Sequence, residues 1–98
     1  MYELIYEPQA HKYLKKITEK GLKSAFRKAL SGIEADPYIG QLKTGDLAGI
    51  YCYDVIYAGT NYEIAYRVYE EAGRKVVVIL AGTRQNFYEQ LKRYMNES

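Results

Sequence analysis

The run "YDVIYAGTNYEIAYRVYE", Tyr53 to Glu70, constrains the fold more than any other part of the chain. Two alternating, β-prone segments flank a glycine, which is the pattern of a β-hairpin. With Gly59-Thr60 as a two-residue turn, glycine first as a type II′ turn prefers, Tyr57 pairs with Tyr62, Val55 with Ile64, Tyr53 with Tyr66 and Tyr51 with Val68. All are apolar or aromatic, so this face is expected to pack on a core. The other face pairs Ile56 with Glu63, Asp54 with Ala65, Cys52 with Arg67 and Ile50 with Tyr69, and sets Asp54 diagonal to Arg67. Its mixed chemistry suits a face left open to solvent, where Asp54 and Arg67 can form a surface ion pair and Glu63 points outward.

The elements around the hairpin follow from periodicity. "YELIY" at Tyr2 to Tyr6 is a short strand, and Pro8 suits the first turn of a helix carrying Ala10, Leu14 and Ile17 inward, ended by Gly21. Leu22, Ala25, Phe26, Ala29, Leu30 and Ile33 form one helical stripe, stopped at Ala35-Asp36-Pro37 because the residue before proline disfavours helix. The two helices are expected to pair antiparallel. After a turn near Ala72-Gly73, "KVVVILA" reads as a central strand buried on both sides, and "TRQNFYEQLKRYM" as a helix begun by Arg84, with Phe87, Leu91 and Tyr94 on one side. The order strand-helix-helix-strand-strand-strand-helix is that of an α+β domain: a mostly antiparallel sheet with a helical pair on one face.

Ninety-eight residues at 48% hydrophobic content suffice for one core, so residues 1–98 are expected to form a single domain. No run of eighteen apolar residues and no signal-peptide pattern occurs, which points to a cytoplasmic protein without a membrane partner. Cys52, the only cysteine, lacks a CxxC or histidine neighbour, so no metal site or cofactor is expected. The net charge of +2 is unevenly spread. His11 to Lys28 holds seven Lys or Arg against Glu19 alone, whereas Glu34 to Glu71 holds two cations and seven acids. A basic block of this kind is either a solvated helix face or a surface that attracts a polyanion.

"YELIYEPQAHKYLKKI", "DPYIGQLKTGDLAGIYCYDV" with its Leu47-Ala48-Gly49 step, "YEIAYRVYE" and "GTRQNFYEQLKRY", in that order, cover nearly the whole chain. The set resembles the RelE/ParE superfamily of toxins from bacterial type II toxin-antitoxin systems, and its two short helices are more similar to the RelE branch. The resemblance implies a metal-independent endoribonuclease, an mRNA interferase that cuts mRNA on the ribosome by attack of a ribose 2′-OH on the adjacent phosphate. It also implies a cognate antitoxin that silences the chain by covering the apolar area on the open sheet face and the last helix. Such chemistry needs a group to take the 2′-proton, positive charge for the phosphorane and a donor for the 5′-oxygen.

Carried onto this chain, the resemblance makes Arg84, Tyr88, Arg67 and Glu63 the candidate catalytic residues, and Lys43 and Asp54 the candidate RNA contacts. Arg84 fits the family's basic position after the last strand, and Tyr88 its terminal aromatic. Cys52, Asp54 and Glu63 stand where relatives often carry basic side chains. Arg67, on the same expected face as Glu63, is the cation available to replace the arginine that Glu63 displaces. Two further classes remain open: a ParE-like inhibitor of DNA gyrase acting by binding, and an attenuated homologue kept as an antitoxin-binding regulator.

Overall fold

Glu3–Tyr6 (β1) lies parallel to Lys75–Thr83 (β5) in the computed structural model, which describes residues 1–97. Antiparallel pairing then adds Thr60–Tyr69 (β4), Tyr51–Tyr57 (β3) and the two-residue Gln41–Leu42 (β2), giving the order β1-β5-β4-β3-β2. Pro8–Lys16 (α1) packs on β5 and Lys20–Ala35 (α2) on β3. Phe87–Glu97 (α3) closes the chain. The expected α+β order is therefore observed, with β2 as an extra edge strand.

Pro8 occupies the first helical position of α1, where its missing N–H is no loss, and Lys15 and Lys16 suit the negative end of the helix dipole. Helix α1 ends at Lys16, before the expected stop. Gly21 instead lies in the first turn of α2, where a Cβ would collide with the Tyr57 hydroxyl. The glycine is there for close approach of helix and hairpin, not for termination. Leu22, Phe26, Ala29, Leu30 and Ile33 are the buried stripe of α2, as their spacing requires. They meet Val55, Ile64, Tyr66, Val76 and Val78 of the sheet. Each large side chain so buried contributes roughly 1.5–3 kcal/mol.

The hairpin turn differs from the expected one. Ala58 (φ 51°) and Gly59 (φ 77°) form it, both left-handed, and the pairs run Tyr57 with Thr60, Val55 with Tyr62, Tyr53 with Ile64 and Tyr51 with Tyr66. Two consecutive positive φ values belong to a type I′ turn, whose twist matches that of the strands. An alanine at φ > 0 is uncommon, which is why Gly59-Thr60 reads as the better turn in sequence. The slip is two residues in pairing, so each side chain keeps its face. What changes is who faces whom: Asp54 now stands directly opposite Glu63, not diagonal to Arg67.

The face opposite α1 and α2 is not open. Helix α3 and the turn around Leu47 cover it, and Leu47, Ile50, Cys52, Ala65, Ile79, Leu80, Phe87 and Leu91 form a second buried cluster. Because Phe87 and Leu91 are buried against the chain's own sheet, the apolar area expected to await an antitoxin there is already occupied. Arg84 precedes α3 and lies in the exposed link from β5, its N–H bonded to Asn61 O at 2.9 Å.

Candidate functional site

Glu63 sits mid-strand on β4 beneath α3, only 2% exposed, so the outward-facing position expected for it is overturned. Its Oε1 accepts a 2.9 Å hydrogen bond from the Tyr88 hydroxyl, while the buried Oε2 has no hydrogen-bond partner among the described residues. Tyr88 reaches it because Phe87, one position earlier, anchors the start of α3 in the second core and leaves Tyr88 facing β4 at Glu63. Lys43, one residue past β2, places its Nζ 4.8 Å from the centre of the Tyr88 ring, a cation–π contact. The backbone fixes this reach, since Lys43 N–H bonds to Ile50 O at 2.9 Å.

Burial pushes the Glu63 carboxyl above its ordinary range, and the neighbouring Asp54 carboxylate pushes the same way. The Tyr88 hydroxyl and the Arg84 guanidinium oppose that shift. Tyr88 is likewise raised, first by burial and then by its bond to Glu63. Below them the Cys52 thiol is pushed up to about 12, by burial first and then by Glu63, which makes it an inert packing group at neutral pH. The arrangement is a proton-accepting carboxylate joined to a phenol, with Lys43 and Arg84 as positive charge beside it.

Of the residues singled out in sequence, the structure brings Lys43, Asp54, Glu63, Arg84 and Tyr88 together, and leaves Arg67 apart. Arg67 is four residues along β4 from Glu63, about 13 Å at the rise of an extended strand. Its guanidinium lies against Gly49, where a Cβ would stand 3.3 Å from Nη1. No Asp54–Arg67 ion pair is found among the described residues; the two pairs present are Arg74 with Glu70 and Lys92 with Asp46. Lys92 is the member that sequence reasoning passed over. It stands four residues after Tyr88 on α3, on the same helix face, and with Lys43, Asp46, Leu47 and Tyr88 lines an open concavity of about 520 Å³. That spacing was the signal available. No group of three His, Cys, Asp or Glu side chains placed to hold a metal occurs among the described residues.

The model of the ParE-like toxin of type II bacterial toxin-antitoxin systems matches residues 4–92. The chain belongs to this family of toxins. The crystal structure of the RelBE2 toxin-antitoxin complex from Mycobacterium tuberculosis contains a chain 24% identical to it, with a TM-score of 0.65, covering 85% of this toxin and 98% of that chain. A double arginine-to-alanine variant of Escherichia coli toxin RelE in the free state is 23% identical, with a TM-score of 0.68 over 94% of this toxin and 96% of that one. The intact E. coli RelBE toxin-antitoxin complex matches at 24% identity and a TM-score of 0.63, over 84% and 95% of the two chains. At these identities the likeness is one of fold. No curated protein matches the toxin. No helix among its described residues is long and apolar enough to cross a membrane.

The buried carboxylate carries a stability prediction. Because its proton is held more tightly in the folded than in the unfolded chain, Glu63 destabilises the fold as pH rises from the ordinary carboxylate value of 4.5 through the raised one. Glu63→Gln keeps an acceptor for Tyr88 and removes the charge. It should raise stability at neutral pH by on the order of 1 kcal/mol and flatten the pH dependence. Thermal melts of both proteins across that window test this, and parallel curves would show that Glu63 is not the titrating group.

Proposed function

We propose that this toxin is a single domain spanning residues 1–98 that arrests translation in the cytoplasm by cutting mRNA on the ribosome, without metal or cofactor. The observation that carries the reading is the hydrogen-bonded pair Glu63–Tyr88 with Lys43 against the Tyr88 ring and Arg84 beside the carboxylate. The 2′-oxygen forms a bond to phosphorus as the P–O5′ bond breaks, leaving a 2′,3′-cyclic phosphate and a 5′-hydroxyl. The 2′-proton passes to the Tyr88 oxygen while the Tyr88 proton passes to Glu63. A raised carboxyl pKa favours that last transfer, and the raised phenol disfavours a free tyrosinate, so the two moves are coupled. Lys43 and Arg84 stabilise the phosphorane, and the Lys43 ammonium protonates the 5′-oxygen. Asp54 sits at the rim, where its charge weakens phosphate approach and makes cleavage slow.

The test is primer extension on programmed ribosomes with purified toxin. Cleavage at the codon in the A site, rising with pH as Glu63 ionises and abolished by Glu63→Gln, is the expected result. Intact mRNA under arresting concentrations of toxin would overturn it.

A cognate antitoxin as the silencing partner is supported by the complexes of similar fold, whose solved forms hold a toxin with its antitoxin. A groove of about 370 Å³, floored by Leu4, Leu14, Ile17, Phe26 and Leu30 with Arg27 on its edge, offers an apolar seat in place of the covered sheet face. Inhibition of DNA gyrase by binding is the second reading. The adjoining acids Asp54 and Glu63, poorly suited to a phosphate, favour it together with the ParE-like family description. Gyrase-linked DNA cleavage with intact mRNA would mark it.

A further inference from the structure

Seven cations on α1 and α2, Lys12, Lys15, Lys16, Lys20, Lys23, Arg27 and Lys28, are all exposed on the layer opposite the Glu63–Tyr88 site. Ordinary solvated helices intersperse acids at i,i+4 and place acids in the first turn, because both choices stabilise the helix. Neither helix does so: their first turns hold no acidic residue, and Lys20 opens α2 at the positive end of its dipole. Lys12 with Lys16, and Lys23 with Arg27, are like charges one helical turn apart, each pair mildly destabilising. The one acid of the block, Glu19, is engaged with the Tyr57 hydroxyl at 2.7 Å. Neither ion pair found among the described residues includes any of the seven. Lys15 and Lys16 at the C-terminal end of α1 apart, the cations thus bring no stability to the helices that bear them, and local rules broken without a structural gain point to function.

None of the exposed large hydrophobic residues belongs to α1 or α2, and the apolar groove floored by Leu14, Ile17, Phe26 and Leu30 is edged by two of the same cations, Lys23 and Arg27. What remains is a sequence-blind array of positive charge.

We propose that the α1–α2 face is a second nucleic-acid surface, which grips the phosphate backbone of structured RNA independently of the site on the other side of the sheet. The choice of RNA rests on the proposed action on translation; the phosphate-binding surface does not. Binding of this kind releases counterions, so affinity falls steeply as salt rises. It holds the toxin on its target while the opposite face does the chemistry.

The test separates structure from function by sign. Lys20→Glu and Lys23→Glu replace cations near the positive end of α2 by acids, and should raise the melting temperature while weakening binding. Fluorescence anisotropy with a mixed-sequence RNA duplex is the probe, titrated over a range of salt for wild type, the double variant, and Lys43→Ala with Arg84→Ala as control. The double variant should bind at least about tenfold more weakly at low salt, with a log–log salt slope shallower by about two, one for each phosphate that no longer meets a lysine. The control, which removes only cations of the Glu63–Tyr88 site, should lose less affinity and less slope than the double variant. Unchanged affinity and slope in the double variant overturn the proposal. So does binding abolished only in the control, which would put the RNA surface at the catalytic side, or retained RNA binding with failed capture by a co-expressed antitoxin, which would make the face a protein surface. Tighter binding to the DNA duplex of the same sequence overturns the assignment to RNA and accords with the gyrase reading. Because no ribosome and no cleavage enters the assay, failure of the nuclease reading leaves its outcome intact.

Discussion

Tyr66→Ala is expected to destabilise the fold by roughly 3–5 kcal/mol, the range for truncating a large aromatic in a closed core. Tyr66 is 0% exposed and is the largest of the fully buried side chains. Its ring stacks on Tyr51 with centroids 5.7 Å apart and planes at 14°. Its hydroxyl donates to Pro37 O at 2.6 Å and accepts from Gly40 N–H at 3.1 Å, tying the segment after α2 to the middle of the sheet. Gly40 is glycine for this reason, since a Cβ there would strike the Tyr66 hydroxyl. The alanine change therefore opens a cavity and strands two backbone groups together. Tyr66→Phe separates the contributions: the ring stays, and the orphaned groups alone cost about 1–3 kcal/mol. Tyr53→Ala, at a half-buried position, should cost less than Tyr66→Ala. Urea unfolding with unchanged m-values measures all three. A Tyr66→Ala loss below about 1 kcal/mol would mean that the site collapses around the gap and that the anchor is not what holds residues 37–40.

Arg84→Ala should lower single-turnover mRNA cleavage on programmed ribosomes by about 10²–10³-fold, the scale for losing one group aimed at a charge that develops in the transition state. Stability should hardly change, because the side chain is exposed and the 2.9 Å bond to Asn61 O belongs to the backbone. A second signature accompanies the first. Arg84 holds the Glu63 carboxyl down against burial and Asp54, so its removal lets that pKa climb and moves the ascending limb of the pH profile to higher pH. A purely RNA-binding arginine would weaken affinity without moving that limb. Arg67→Ala, about 13 Å along the strand from Glu63, should leave both rate and limb in place. Equal cleavage by wild type and Arg84→Ala at saturating toxin would remove Arg84 from the reaction.

Local chemistry by itself determined most of the architecture. Helix stripes, the proline that opens α1 and the one that stops α2, the parity of the hairpin faces and the two-sided burial of β5 all depend on neighbours in the chain, and these were legible. So, Lys92 apart, was the list of polar residues from which the candidate site is drawn. Tertiary structure decided what lies against each of them. The type I′ turn at Ala58-Gly59 sets Asp54 against Glu63, because strand twist outweighs the cost of a left-handed alanine. Phe87 and Leu91 bring α3 down on the second sheet face, which turns Glu63 from an expected surface residue into a buried, proton-seeking carboxylate beneath Tyr88. Tyrosine hydroxyls that look solvent-bound in sequence end instead on Glu7, Glu19, Glu63 and Glu70. These hydrogen bonds span from 25 to 87 residues along the chain, and no local pattern encodes them. Periodicity states which way a side chain points; only the packing of distant elements decides whether water or a carboxylate is waiting there.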